Sequence, residues 1–298
     1  MILTVTLNPA WDVTYRVPRL TPHGSHRIGS MLQRPGGKGL NVARVLHALG
    51  QPVLATGLAG GATGAMVEAA FDVPNAFVGI AGETRRTVTI VDSDATIFNE
   101  PGPEVRLDEW SAFQESFAAR AAEATVVVLS GSLPPGLPED AYAVLTRLAR
   151  TAGARVLVDA DGAALRAAAT ACPDLLKPNA AEFAAANLPR EVDQSLERAP
   201  GALVVSRGAD GMIAVTPEGC FEAVPHEVVA GNPTGAGDAA AAALAVALRD
   251  RLEWPRALGE AVALSAAAVA APAAGEFDPD VLRRHRRAPK VRETPCPW

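Results

Sequence analysis

Short apolar runs alternate with amphipathic stretches along most of this chain, and the alternation restricts the possible folds more than any other feature. Strands buried on both faces are apolar at almost every position, whereas amphipathic helices are apolar on one side only. The strand-like runs lie at 53–56, 126–129, 156–159 and 203–206. Patterns typical of helices lie at 39–49, 107–123, 139–150, 181–186, 238–251 and 256–271. This order predicts an α/β fold with a doubly wound, mostly parallel sheet.

Two stretches depart from this rhythm. Residues 11–17 and 86–98 alternate apolar and polar side chains, and no helical pattern fits between their halves. Such alternation is typical of an antiparallel sheet with one covered face. We therefore expect a single domain, 1–298, with a small antiparallel β-sheet lid formed by insertions at about 11–34 and 85–100.

The composition excludes several classes of protein. The 298 residues include 27 basic and 33 acidic side chains, a formal net charge of −6, whereas a general nucleic-acid binder needs a basic face. The most apolar stretch, 239–248, is far shorter than a membrane-spanning helix, which needs about 20 residues. We therefore expect neither nucleic acid nor a membrane as a partner.

The cysteines and the first residues indicate the compartment. Three cysteines, odd in number and widely spaced, predict neither a disulfide framework nor a zinc site. The first residues lack the charged start of a signal peptide. Both features favour a cytoplasmic protein.

The sharpest motif is Asn232-Pro233-Thr234-Gly235-Ala236-Gly237-Asp238, directly before a predicted helix. Glycines at a helix entrance allow backbone N–H groups to converge on an anion such as a phosphate. For a transferring phosphoryl group, the amides at 235–237 would neutralise the developing charge, and Asp238 would accept the proton of the attacking hydroxyl. Alternatively, Asp238 is only a carboxylate that favours the helix dipole, which explains the aspartate but not the glycines.

A second glycine cluster, Pro35-Gly36-Gly37-Lys38-Gly39-Leu40-Asn41, also opens a predicted helix. Lys38 and Asn41 fall in its first turn, where both can face a ligand at the helix end. The spacing to the lysine is wrong for a Walker A loop, and no Ser or Thr follows it. A third cluster at 57–64 lacks the glycine spacing of a dinucleotide-binding loop, so we interpret it as a turn.

Together with Leu7-Asn8-Pro9-Ala10-Trp11-Asp12, these motifs resemble the ribokinase-like (PfkB) carbohydrate kinase family. The segment from Gly36 to Ala43 is similar to the family's N-terminal signature, and that from Asn232 to Asp238 to its C-terminal one. The opening segment is similar to the hexose-phosphate branch, which contains 1-phosphofructokinase and tagatose-6-phosphate kinase. The resemblance runs from residue 2 to about residue 280. A chance match to both signatures, in the order in which the family has them, is far less expected than a chance match to either one.

The resemblance implies a role for each matching residue. Asp238 would be the catalytic base, and Gly235, Ala236 and Gly237 the anion hole. The positions that would hold the sugar phosphate are Asp12, Gly37, Lys38, Asn41, Arg85 and Ser130. Arg85 suits a phosphate because its planar fork donates parallel hydrogen bonds, whereas the adjacent Arg86 points to the opposite face of a strand.

The nucleotide side of the site rests on the resemblance as well. Lys177 and Asn179, in Lys177-Pro178-Asn179-Ala180-Ala181-Glu182, would face the phosphates of ATP, and Glu182 would place Mg²⁺ through water. The turn that contains Ser206, Gly208 and Gly211 would line the ATP site. Without the resemblance, Glu182 is an exposed helix residue and the turn belongs to a hairpin.

The implied activity is transfer of the γ-phosphate of ATP, with Mg²⁺, to a hydroxyl of a phosphorylated ketohexose. The first candidate reaction converts fructose 1-phosphate to fructose 1,6-bisphosphate, and the alternatives are tagatose-6-phosphate and fructose-6-phosphate kinases. A non-catalytic sugar-phosphate sensor is the alternative of another class, although a sensor needs no base at Asp238. The resemblance also implies a homodimer that forms through the lid.

Overall fold

The computed structural model describes residues 1–186, 201–287 and 290–296. Within these residues the strands are β1 (Ile2–Thr6), β2 (Ala10–Arg16), β3 (Ser30–Gly36), β4 (Val53–Gly60), β5 (Val78–Ile80), β6 (Arg85–Val91), β7 (Ala95–Asn99), β8 (Val126–Ser130), β9 (Arg155–Asp159), β10 (Leu175–Leu176), β11 (Leu203–Ser206), β12 (Met212–Thr216), β13 (Gly219–Val224) and β14 (Lys290–Thr294). The α-helices are α1 (Lys38–Ala48), α2 (Gly61–Ala70), α3 (Leu107–Ala121), α4 (Ala141–Thr151), α5 (Gly162–Ala169), α6 (Ala180–Ala186), α7 (Ala236–Asp250), α8 (Trp254–Val269) and α9 (Pro279–Arg287).

The main sheet has the strand order β14-β13-β12-β11-β10-β9-β8-β1-β4-β5. The pairs from β5 to β11 are parallel, and β12, β13 and β14 add an antiparallel edge. Helices cover both faces, with α1, α7 and α8 in one buried apolar cluster and α3, α4 and α5 in the other. The predicted doubly wound, mostly parallel α/β fold is confirmed.

Alanine dominates the two helices that pack together on one face of the sheet. In α7 all but two of the nine buried residues are alanine, and α8 buries six alanines. Alanine has no side chain beyond Cβ, so helices that meet through alanine can approach each other and the sheet closely. The helix that begins next to Asp238 is therefore closely packed along most of its length.

The remaining four strands form a second, small sheet in the order β3-β2-β6-β7. Its outer pairs are antiparallel, but β2 and β6 at its centre run parallel. The expectation of a purely antiparallel small sheet is therefore wrong, because the two insertions enter the sheet in the same direction. We call these four strands the small sheet.

The interpretation of 57–64 as a turn is also wrong. This segment contains the end of β4 and the start of α2. Its glycines allow close packing: a Cβ on Gly60 would collide with the carbonyl oxygens of Ile80 and Gly82, and a Cβ on Gly64 would lie 3.0 Å from the hydroxyl of Thr84. The cluster thus reflects crowding between α2 and its neighbours.

A disulfide between Cys220 and Cys296 corrects the expectation that the cysteines stay unpaired. The two residues are 76 positions apart in sequence, and their Cα atoms are 5.3 Å apart. The antiparallel register of β13 and β14 brings them together, since Cys220 lies opposite Thr294. None of the helices in the described ranges combines the length and apolar character needed to cross a bilayer.

Candidate active site

Most of the predicted site residues meet at the carboxyl edge of the main sheet, where the strand order reverses. From β1 the sheet continues through β4 and β5 on one side and through β8 to β11 on the other. Open α/β sheets bind ligands in the crevice at such a point. Ser130 ends β8, Asp159 ends β9 and Lys177 follows β10.

A network of charged side chains lies in this crevice. Asp159 is 2% exposed and accepts from two lysines: Lys177 Nζ at 2.7 Å and Lys38 Nζ at 3.2 Å. Lys38 also pairs with Glu182, at 3.0 Å between Nζ and Oε1. Lys177 is itself 2% exposed, so its contact with Asp159 is a buried ion pair. The two predicted phosphate-binding lysines are therefore joined through a carboxylate that the sequence did not identify.

The network keeps the side chains of Asp159 and Lys38 charged. Burial alone would raise the pKa of Asp159, but Lys177 and Lys38 hold it below its ordinary value. Burial alone would lower the pKa of Lys38, but Asp159 and Glu182 raise it well above its ordinary value. Both side chains are thus charged at neutral pH.

Asp238, at the third position of α7, is only 6% exposed. Burial, and next the negative charge of Asp159, raise the pKa of Asp238 from 3.8 to about 7, although the hydrogen bond from Asn41 opposes this. Asn41 Nδ2 donates to Asp238 Oδ2 at 2.8 Å. Arg44 Nη1 donates to the side-chain oxygen Oδ1 of Asn41 at 3.4 Å, which leaves the Asn41 NH₂ group to face the carboxylate. A carboxyl with a pKa near neutrality suits a general base.

The amides predicted to bind an anion precede Asp238. Gly235 has φ of 86°, a left-handed conformation that favours glycine, and it caps the N-terminus of α7. The Ala236 N–H donates to the Pro233 carbonyl at 3.1 Å and is therefore engaged in a turn. Within the described residues no carbonyl accepts the amides of Gly235 or Gly237, so these two of the three predicted amides have no backbone partner. Lys177 lies close to these amides, because its Nζ is 3.6 Å from the position that a Cβ on Gly237 would take.

The small sheet places Asp12 and Arg85 side by side on one face. Asp12 is opposite Thr87 in the register, and Arg85 is two residues before Thr87. Burial raises the pKa of Asp12 to about 6, although the guanidinium of Arg85 opposes this. Gly36 gives this carboxylate its space, because a Cβ at that position would overlap the Asp12 side chain. Gly37, with φ of 124°, caps α1 beside Asp12.

Arg85 donates hydrogen bonds to backbone carbonyls, so its positive charge can still bind an anionic ligand. Its Nε donates to the carbonyl of Asn8 at 3.2 Å and its Nη1 to the carbonyl of Glu100 at 3.2 Å. Within the described residues no carboxylate forms an ion pair with Arg85. The carboxylates of Asp12 and Glu100 influence Arg85 without forming an ion pair with it, whereas Lys38 is ion-paired with both Asp159 and Glu182.

Ser130, the remaining predicted sugar contact, is fully buried at the end of β8. Within the described residues no group forms a hydrogen bond with its hydroxyl or with the buried side-chain oxygen of Asn8. The Asn8 amide nitrogen donates to the Pro101 carbonyl at 3.0 Å and to the Ser132 hydroxyl at 3.2 Å. Asn8 therefore connects the small sheet to the loop after β8, a role that sequence analysis missed.

A cleft of about 540 Å³ includes Gly237 in its wall. Four predicted nucleotide-binding residues, Asn179, Ser206, Gly208 and Gly211, line this cleft together. Most of the remaining wall is apolar, and Ser265 of α8 adds a polar group to it. A largely apolar cleft that reaches Gly237 at the N-terminus of α7 suits a nucleotide, because the base can bury its faces while the phosphates reach the helix N-terminus.

Asn179 and Glu182 form a capping box at the start of α6. Asn179 Oδ1 accepts the N–H of Glu182 at 2.8 Å, and Glu182 Oε2 accepts the N–H of Asn179 at 2.8 Å. Since Glu182 Oε1 accepts from Lys38, both carboxylate oxygens are engaged. Among the described residues no three His, Cys, Asp or Glu side chains are grouped as a metal site. Glu182 therefore suits contact with Mg²⁺ through water, since magnesium keeps several of its waters.

Comparison with known proteins shows which proteins this chain is similar to. Residues 5–280 match the model of the pfkB family carbohydrate kinases. Phosphofructokinase-2 from Escherichia coli in complex with fructose-6-phosphate is 30% identical, with a TM-score of 0.86 over 96% of this chain and 98% of that chain. The same protein is known in a tetrameric inhibited form. A possible 1-phosphofructokinase from Thermotoga maritima is 26% identical, with a TM-score of 0.86 over 98% and 99% of the two chains.

A more distant structure shares the fold. Ribokinase from Arabidopsis thaliana, complexed with ribose and ATP, is 19% identical, with a TM-score of 0.68 over 96% of this chain and 98% of that chain. The ten-stranded sheet with its small second sheet is thus a ribokinase-like fold.

Proposed function

The chain belongs to the pfkB family of carbohydrate kinases, and from this membership we propose that it transfers the γ-phosphate of ATP to a hydroxyl of a phosphorylated ketohexose. The observation that supports this most directly is the buried Asp238, with its pKa near 7, beside the amides of Gly235 and Gly237. A sensor would need the amides but not a base. Asp12 and Arg85 flank this centre on one side, and the nucleotide cleft flanks it on the other.

The residues suggest a direct transfer. Asp238 takes the proton of the attacking hydroxyl as its oxygen bonds to the γ-phosphorus, and the bond from that phosphorus to the leaving oxygen of ADP breaks. The amides of Gly235 and Gly237 and the ammonium of Lys177 hold the charge on the transferring group. Asp12 accepts hydrogen bonds from sugar hydroxyls, and Arg85 binds the phosphate that the sugar already carries.

The charge of the site supports a requirement for a divalent cation. Three carboxylates, Asp159, Glu182 and Asp238, face two ammonium groups in the crevice. A polyphosphate tail needs further positive charge in such surroundings. Mg²⁺ bound with ATP would supply it by neutralising charge on the phosphate oxygens, and Glu182 would be its contact with the protein through water.

Fructose 1-phosphate, which would give fructose 1,6-bisphosphate, is our first candidate substrate. Fructose 6-phosphate is the second, because the chain is 30% identical to a protein solved with that sugar. Tagatose 6-phosphate is the remaining hexose phosphate of the branch. A coupled assay of ADP release should detect turnover with at least one of these three and little with unphosphorylated fructose or ribose. Turnover with unphosphorylated sugars alone would contradict the assignment to phosphorylated substrates.

The small sheet supports a homodimer. Leu32 and Ile97 are 49% and 48% exposed and lie on the same face as Asp12. Met31 and Phe98, on the opposite face, are exposed as well. Exposed apolar side chains on the small sheet favour a second copy as the partner, and a copy on the Asp12 face would cover the sugar side of the site and exclude water. Light scattering should give the mass of a dimer, and Ile97→Asp should give the mass of a monomer. A parent protein that is monomeric at micromolar concentration would contradict this assembly.

The cytoplasmic location expected from the sequence stays a prediction. The Cys220–Cys296 disulfide stands against it, because the cytosol usually keeps thiols reduced.

A further inference from the structure

Arg34, which the sequence did not mark, connects the small sheet to the main domain. It lies near the end of β3, directly opposite Asp12 in the register. Its Nη1 pairs with Glu276 Oε1 at 2.9 Å, and its Nη2 donates to the Ala274 carbonyl at 2.6 Å. The Arg34 side chain is 18% exposed, so most of it is removed from water.

The segment that Arg34 grips, residues 271–278 after α8, touches the catalytic centre at two points. A Cβ on Gly235 would come within 2.8 Å of Ala274 Cα, so this segment lies directly against the anion site. A Cβ on Gly275 would lie 3.2 Å from the Cα of Asn41 and 3.3 Å from its Oδ1. Asn41 in turn donates to Asp238. We call residues 271–278 the bracing loop.

We propose that Arg34 is a positioning residue that couples the small sheet to the anion site through the bracing loop. The inference rests on the proposed function, in which a sugar phosphate binds under the small sheet at Asp12 and ATP binds at Gly235 and Gly237. A shift of β3 on sugar binding moves Arg34, and Arg34 moves Ala274 through its carbonyl. The Cα of Ala274 lies against Gly235, so the shift reaches the anion site. Sugar phosphate and ATP should therefore affect each other's binding.

The chemistry of the contact favours arginine specifically. One planar guanidinium binds the carbonyl and the carboxylate together, whereas a lysine ammonium cannot reproduce this fork. Glu276 is 46% exposed, so its ion pair contributes little, and the bond to the Ala274 carbonyl carries most of the connection. We therefore expect a substitution of Arg34, which removes both contacts, to have a larger effect than a substitution of Glu276, which removes only the ion pair.

The test compares Arg34→Ala, Arg34→Lys and Glu276→Gln with the parent. A matched control is Arg16→Ala, which removes an exposed arginine from β2 of the same sheet. Calorimetry gives the affinity for a non-hydrolysable ATP analogue with Mg²⁺, with and without a saturating sugar phosphate, and steady-state kinetics give kcat and both KM values. A purely structural role for Arg34 would lower stability without changing the ratio of the two affinities.

We expect the sugar phosphate to change the affinity of the parent for the analogue by about fivefold or more. Arg34→Ala should bring this ratio to about one and lower kcat by about tenfold, and it should leave the affinity for the analogue in the absence of sugar little changed. Arg34→Lys should retain part of the ratio, and Glu276→Gln and Arg16→Ala should stay within about twofold of the parent. A parent with a ratio of one, or Arg34→Ala with the parent's ratio, would overturn the inference.

The two proposals fail separately. Absence of phosphorylated product from the parent with every sugar phosphate overturns the proposed function. The affinity ratio needs no turnover, so it reports on Arg34 even in that case.

Discussion

Replacing Asp238 with asparagine should stop phosphoryl transfer and, above neutral pH, make the protein more stable. The substitution keeps the size of the side chain, and the new amide oxygen can still accept the hydrogen bond from Asn41. It removes a negative charge that is buried beside Asp159. Activity and stability are therefore expected to change in opposite directions.

The magnitude follows from the two pKa values of Asp238. In the unfolded chain the carboxyl titrates near 3.8, and in the folded protein its pKa is about 7. Between these values the folded protein holds a proton that the unfolded chain has released, so this group lowers stability as the pH rises through this window. Each pH unit within this window is worth about 1.4 kcal/mol. Compared with a side chain that is never charged, Asp238 therefore lowers the free energy of unfolding by about 4 kcal/mol at pH 8 and by less than half of that at pH 5.

Thermal unfolding of the ligand-free protein measures the gain. An unfolding entropy of about 2.1 cal/mol/K per residue converts about 4 kcal/mol into a rise of about 6 °C in Tm for Asp238→Asn at pH 8. The gain should fall by more than half at pH 5. Asp108→Asn, in the first turn of α3 but exposed, is the matched control and should change Tm far less than Asp238→Asn in either buffer, because solvent screens an exposed charge.

Two results would refute this reasoning. A stability gain of the same size at pH 5 and pH 8, or no gain at pH 8, would show that the charge on Asp238 is not costly. Turnover equal to that of the parent would remove Asp238 as the base, for which we expect a loss of about 10²- to 10⁴-fold in kcat.

Three further predictions concern the sugar side and the disulfide. Arg85→Ala should raise the KM for the sugar phosphate about 10- to 100-fold and leave the KM for ATP unchanged, since a charge-assisted hydrogen bond is lost; equal changes in both KM values would contradict its role. The KM for the sugar should rise as the pH falls through about 6, where Asp12 is protonated, and Asp12→Asn should abolish this dependence in a pH series of initial rates. Dithiothreitol or Cys296→Ser should lower the free energy of unfolding by about 4 kcal/mol in urea titrations, because the bridge closes a long loop, and an unchanged midpoint would show that the bond does not form.

The sequence predicted β4, β8, β9 and β11 of the main sheet and most of the helices that cover it, because those elements depend on local patterns. Strands buried on both faces need apolar residues throughout, and the runs at 126–129 and 156–159 both belong to strands of the structure. The α2 helix was missed because its first residues, Gly-Ala-Thr-Gly, have turn composition, and only the neighbouring β5 and β6 segments show that these glycines relieve crowding.

The candidate site was harder to predict where it depends on contacts between distant segments. Asp159 was visible only as the last residue of an apolar strand, although a charged residue at the carboxyl end of a parallel strand is a usable signal. Its importance comes from two lysines that approach from α1 and from the end of β10. Arg34 and the Cys220–Cys296 pair gave no local signal, because each contact depends on how remote segments pack.

The alanines of α7 make the position of Asp238 sensitive to residues that lie far from any substrate. A side chain without torsions has no alternative rotamer, so an added methyl group at Ala241 or Ala245 can be accommodated only by a shift of the helix itself. Such a shift would move the carboxylate at its N-terminus by fractions of an ångström, a distance that matters for proton transfer. A series of substitutions from glycine through serine to valine at these positions should therefore change the rate in steps, if Asp238 acts as the proposed base.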